Sequence, residues 1–246
     1  MIKKKSYILL LALLFTVPLF AQRETANWYF GSNVGLGFNN GKPVLQTDGK
    51  LTTTEGCSTV SDNNGSLLFY TNGVNIWNNN HNIMQNGSDL LGSDSGSQSA
   101  IVIPNVSNSN IYYVFTADVY QAYTNGNNGN GINYLVVDMS LNAGLGTVKS
   151  KNVNLLPQGS EKLSAVSSLD GTGFWVVTHK GNKFYGFKVD GSGVNALVIS
   201  TIGINITGVS NIRGHIKFSP NGKRLAITHS IFEPTFNGYL NISTGK

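Results

Sequence analysis

The chain has 246 residues, only 12% of them charged, and a formal net charge of +5. Lys3, Lys4 and Lys5 belong to an N-terminal leader, and without them the 17 basic residues fall to 14 against 12 acidic ones, a net of +2. That balance, with Arg23, Arg213 and Arg224 forming no cluster in sequence, argues against nucleic acid as a partner; the single cysteine, Cys57, excludes a scaffold stapled by intrachain disulfides.

Residues 1–21 read as a secretory signal peptide, three lysines ahead of an unbroken apolar run from Tyr7 to Phe20, with Ala21 as the small residue before the cut. The run is short of the roughly 20 residues that span a bilayer. The sequence therefore predicts export, with no membrane span after cleavage and residues 22–246 as the mature chain. Abundant Gly and Asn give it a neutral, turn-rich surface suited to an extracellular β protein.

The predicted strands follow in order. Asn27 to Gly31 is a first aromatic strand, followed by a Gly-rich stretch with Gly35, Gly37 and the Asn40-Gly41 turn, and then by Pro43 to Leu45. The hairpin Ser58 to Thr71 comes next, and Val74 to Trp77 ends what reads as a first unit. A polar connection from Asn78 to Gly96 follows, in which only Ile83, Met84, Leu90 and Leu91 are apolar anchors. The second unit has strands at 100–103, 111–116, 133–138 and 146–153. The third has them at 163–167, 174–179, 184–189 and 194–202. A fourth unit offers 215–219, 225–229 and 239–242 before the chain stops at Lys246.

One hairpin design recurs through these units: an apolar strand, a Gly/Asn/Asp turn, then an apolar strand closed by threonine. The closing residues Thr71, Thr116, Thr178 and Thr228 are 45, 62 and 50 positions apart. That cadence predicts an all-β chain, a β-propeller of four-stranded antiparallel blades of the WD40/YVTN-like kind, with three complete blades and a truncated fourth. A β-sandwich is the rival, but nothing in a sandwich requires the same hairpin to recur at blade spacing. Because propellers close with about four to eight blades, the chain is expected to be the N-terminal part of a longer protein. The alternative is a small closed ring in which Trp28 to Phe30 supplies the missing outer strand of the last blade.

Little in the sequence carries catalytic chemistry. Ser168-Leu169-Asp170-Gly171-Thr172-Gly173-Phe174-Trp175 approaches the Asp-box hairpin of sialidase-like propellers, with Thr172 at the Gly place; Ser61, Asn63 and Gly65 match more loosely. That box is a structural turn, and the three arginines form a poor carboxylate clamp. His179 and His229 share one slot, directly after the marker threonine, and can be read as ligand contacts or metal ligands on one rim. They can equally be read as a hydrogen-bonding position inherited by the repeat, held by Asn72 and Ala117 elsewhere. Cys57 reads as a small buried residue, and the turns at 62–65 and 125–131 lack the alternating acids of a calcium loop. No catalytic, cofactor-binding or metal-binding residue is assigned.

At NWYFG, EGCSTVSDNNGSLLFYTNGVNIWN, QSAIVIP and IYYVFTAD the chain resembles the N-terminal propeller region of large secreted surface proteins of gliding Bacteroidota. The likeness runs from about Ala26 to the end. In that family such regions precede immunoglobulin-like modules and a C-terminal sorting domain for gliding-motility or type IX secretion, and that sorting domain is missing from this sequence. The resemblance implies export, a cell-surface or extracellular address and a binding role, and it brings no catalytic residues. The expectation is a non-enzymatic, adhesin-like interaction module with a protein or polysaccharide ligand on its loop rims; the alternative is a propeller-type glycosidase or lyase.

Overall fold

A computed structural model describes residues 23–124, 129–230 and 239–240. The expected signal peptide, most of the Asn/Gly loop at 125–131 and the last residues of the expected fourth unit lie outside them. The described chain is all-β, as expected, and its strands form five small antiparallel sheets, each built from strands consecutive in sequence. Such short elements follow from the turn residues, which recur too often for a helix to run several turns.

The first sheet contains β1 (Asn27–Phe30), β2 (Val34–Gly37) and β3 (Val44–Gln46). The second contains β4 (Ser58–Ser61), β5 (Leu67–Thr71) and β6 (Ile76–Asn78). The stretch expected to be one unit is therefore two sheets. What sequence pattern missed is β2, because Val-Gly-Leu-Gly has the composition of a loop. Its glycines are there for close approach: a Cβ on Gly35 would sit 2.8 Å from the Trp28 carbonyl oxygen and 2.9 Å from the Tyr29 ring. The alternative role for Trp28 to Phe30 is also corrected, since β1 pairs with β2 in register Trp28 to Leu36 and belongs to the first sheet.

The third sheet has four strands, β7 (Ala100–Asn105), β8 (Asn108–Ala117), β9 (Ile132–Asp138) and β10 (Thr147–Leu156). Bulged β10 ties down the polar connection that precedes this sheet. Asn86 donates to the Val148 carbonyl at 2.8 Å, Leu91 N–H donates to Asn152 Oδ1 at 3.0 Å, and Met84 and Leu90 are buried.

The fourth sheet comprises β11 (Ser164–Ser167), β12 (Gly173–Asp190) and β13 (Gly193–Ile206). A straight β12 would separate Gly173 from Val189 by about 50 Å. Instead, a Cβ on Gly173 would lie 2.0 Å from the Val189 carbonyl oxygen, and the His179 and Phe184 rings are 4.5 Å apart. The strand thus folds back on itself near Gly181, whose φ is +66°. Its first half pairs with β11 and its second with β13, so the sheet contains the four runs expected for the third unit. The fifth sheet holds β14 (Ile216–Phe218), β15 (Leu225–Ile227) and β16 (Tyr239–Leu240).

Each sheet packs on the next in chain order. Tyr29, Leu51, Tyr70 and Trp77 fill the first contact, with Tyr70 stacked on Tyr29 at 4.6 Å and on Trp77 at 5.6 Å. Phe69, Ile76, Tyr112 and Val114 are in the second, Phe115, Ile132, Val176 and Phe187 in the third, and Val177, Phe184, Ile216 and Leu225 in the fourth. Each fully buried large side chain contributes about 1.5–3 kcal/mol, so these four clusters, without any disulfide, pack the sheets in sequence. Cys57 borders the first cluster, its thiol donates to the Tyr29 carbonyl at 3.3 Å, and burial pushes its pKa up, which suits the inert role expected of it.

Candidate functional site: a pocket beside the lead-in junction

The segments leading into β4, β7, β11 and β14 converge. Thr54 N–H donates to the Asp94 carbonyl and Gly56 N–H to the Gly96 carbonyl, both at 2.9 Å. Gly56 is required by contact, since a Cβ there would stand 2.4 Å from the Ser99 nitrogen. Glu161, fully buried, anchors the junction: one carboxylate oxygen accepts from the Ser97 amide at 2.8 Å and hydroxyl at 2.7 Å, and the other accepts from the Tyr120 amide at 2.8 Å. Ser97 Oγ in turn accepts from the Gly214 amide at 3.3 Å. Arg213 lies over the Tyr120 ring at 4.8 Å and reaches Glu55 at 3.9 Å.

Lys162 is also fully buried, and its ammonium donates to the Asn211 and Ile212 carbonyls, the latter at 2.9 Å. These are the last residues of the 3₁₀ turn Val209–Ile212, so the lysine caps its C-terminal end. Burial pulls the Lys162 ammonium down to about 7, with the Glu161 carboxylate acting in the opposite direction. Sequence reading assigned no role to this Glu-Lys pair. The signal available was two adjacent charges directly before the apolar run of β11, in a chain otherwise poor in charge.

Beside this junction lies a cavity of about 480 Å³ lined by Tyr123, Ser160, His179, Asn205, Asn211 and His229 among others. The structure brings the two repeat-related histidines together, with ring centroids 5.4 Å apart and edge to face. Burial, then His229 and Lys162, pull His179 down to about 4, and burial and Lys162 also lower His229. Both imidazoles are therefore neutral at pH 7, and each ring offers one donor and one acceptor nitrogen.

The equivalent slots separate the two readings of these histidines. Asn72 is buried and fully used, its Oδ1 accepting from the Val74 and Asn75 amides and its Nδ2 donating to the Thr52 carbonyl. Ala117 is buried without a polar group. His179 is only 4% exposed, yet among the described residues no protein group hydrogen-bonds its ring. His229 Nδ1 lies 3.2 Å from the Asn211 carbonyl oxygen, and Asn211 Oδ1 is buried without a partner. The slot thus serves hydrogen bonding in the second sheet and packing in the third, and faces a cavity in the fourth and fifth.

The Asp-box-like turn closes as its composition predicts. Ser168 Oγ donates to Asp170 Oδ1 at 2.6 Å and accepts from Gly173 N–H at 3.0 Å, and Thr172 N–H donates to Asp170 at 3.0 Å. Ser219 and Asn221 repeat the arrangement with Lys223 and Arg224. In the second sheet the anchor is Asp62, which accepts from Asn64 and Ser66, and the expected Ser61 is buried and bonded to Asn27. All three are turns of structure, remote in role from the cavity.

Among the described residues no group of three His, Cys, Asp or Glu gathers as a metal site, and no helix is long and apolar enough to cross a membrane. No protein-family model, no curated protein and no solved structure matches the chain.

Proposed function

We propose that the chain is a secreted, non-enzymatic β-propeller interaction module of a surface or extracellular, adhesin-like protein, and that it binds its ligand in the rim pocket at His179 and His229. Five meander sheets stacked in chain order, with lead-in segments meeting at one junction, support radially arranged blades. The resemblance to surface proteins of gliding Bacteroidota supports the address.

The observation that carries the binding role is the pocket wall. Among the described residues its lining groups are imidazole, amide, hydroxyl and ammonium, with no carboxylate. Glycoside hydrolysis ordinarily uses two carboxylates flanking the bond. Among the described residues the nearby acids are bonded elsewhere: both Glu161 oxygens accept hydrogen bonds, and Asp118 accepts from the Val119 amide at 2.8 Å and the Asn130 amide at 2.7 Å. The test titrates the secreted chain against a panel of polysaccharides and chromogenic glycosides, reading both binding and product. Saturable binding that His179→Ala removes, with no hydrolysis or elimination product, is the expected result. Turnover abolished by the same substitution overturns the proposal in favour of a carbohydrate-active enzyme.

A further inference from the structure

The cavity does not end at the histidines. A second one of about 600 Å³ adjoins it, and the two share Gln158, Lys180, Gly181 and Asn205 in their walls. Together they form a groove along the fold-back of β12, of the size ligand sites ordinarily have.

Two of the described lysines are ion-paired, and the cations of this groove are not among them. Lys188 is paired with Asp170 at 2.9 Å and Lys149 with Asp138 at 3.5 Å. Lys162 is turned inward onto backbone carbonyls. Lys180, in contrast, bonds only the neutral Gln158 amide oxygen, and neither it nor Lys183 has an acidic partner among the described residues. Lys180 is half-buried, and burial alone lowers its pKa, as it does for a cation with no counter-charge. Among the described residues no acidic side chain lines either cavity.

The rest of the wall is neutral and two-natured. His179 and Asn205 present donors and acceptors of the kind that hydroxyl groups satisfy, while Ile206, Val209 and Tyr185 present apolar surface. A ligand that fits is a ring with apolar faces, several hydroxyls and a negative charge at the lysine end. We infer that the groove takes a carboxylate-bearing saccharide, its acid group on Lys180 and Lys183 and its hydroxyls on the histidine side. The inference rests on the pocket being the binding site.

The test uses the secreted chain, an oligogalacturonate and the same oligosaccharide with its carboxylates methyl-esterified, titrated by calorimetry and by the imidazole proton resonances of His179 and His229. The acid form is expected to bind saturably and to shift both imidazoles, and the ester to bind at least about tenfold more weakly. Lys180→Ala with Lys183→Ala is expected to cost a similar factor, Lys180→Arg to retain most of the affinity, and added salt to weaken binding. Equal affinity for acid and ester overturns the acidic ligand but leaves the pocket reading standing. Binding untouched by both the lysine pair and His179→Ala overturns the pocket itself. Saturable binding of neither oligosaccharide overturns both.

Discussion

His179 and His229 meet edge to face with ring centroids 5.4 Å apart, and the buried one carries no hydrogen bond among the described residues. This makes His179 a pH-dependent element of the fold. Its native pKa of about 4 lies below the value of 6.5 it has when unfolded. The unfolded chain therefore binds the proton first, so the stabilisation is complete above about pH 6.5 and is lost as pH falls toward 4. Thermal denaturation is expected to show a loss on the order of 2 kcal/mol between pH 7 and pH 5. His179→Phe should flatten that dependence; an unchanged slope in the variant contradicts the assignment.

Glu161 is the charge whose partners are all on other segments. Replacing it with Gln turns one of its two acceptor oxygens into a donor that faces at least the Tyr120 amide and removes the charge from the remaining bonds, so Glu161→Gln is expected to cost about 2–4 kcal/mol in urea unfolding. Ser97→Ala removes one of those donors but keeps the backbone one, and about 1 kcal/mol is the expected loss. If the two variants are equally stable, the carboxylate is not the anchor of the junction.

The two serine turns give a matched comparison. Ser168→Ala leaves Gly173 N–H without its acceptor, and a loss of about 1–2 kcal/mol is expected. Asp170→Asn should be tolerated far better than Asp170→Ala, because Asn221 already does the same work in the Ser219 turn. The remaining difference between Asp and Asn reports the Lys188 ion pair and should shrink at high salt. The Asp170 carboxyl is held below the usual range by Ser168 and then by Lys188 and Thr172, so its contribution persists to acidic pH.

Gly173 and Gly171 separate two reasons for glycine two residues apart. At Gly171 nothing lies within 4 Å of an added Cβ but φ is +68°, so Gly171→Ala is expected to cost about 1 kcal/mol of backbone strain. At Gly173 the same methyl would sit 2.0 Å from the Val189 oxygen, and Gly173→Ala is expected to cost at least about 3 kcal/mol or to abolish soluble expression. Comparable midpoints for the two variants would refute the fold-back of β12.

The regular strands were legible in the sequence because apolar runs and turn residues set them locally: β5, β8, β9, β11 and the two halves of β12 lie where the hairpin pattern puts them. β2 was hidden because the Tyr29 side chain decides its composition from a neighbouring strand. The histidine pair was visible as a coincidence of register, since repeats bring equivalent slots to one side of the fold. What the groove adds, Lys180 without a counter-ion and Asn211 Oδ1 without a donor among the described residues, depends on which groups fail to meet, and spacing along the chain says nothing about that.

Each sheet touches mainly its sequence neighbours, and a chain of that kind melts from its ends, sheet by sheet. The bonds from Gly214 to Ser97 and from Arg213 toward Glu55 cross 117 and 158 positions and skip the intermediate sheets. They couple the last sheet to the second and third without passing through the fourth. Hydrogen exchange should consequently find the lead-in amides opening together, as one cooperative unit, while the outer strands of each sheet open independently.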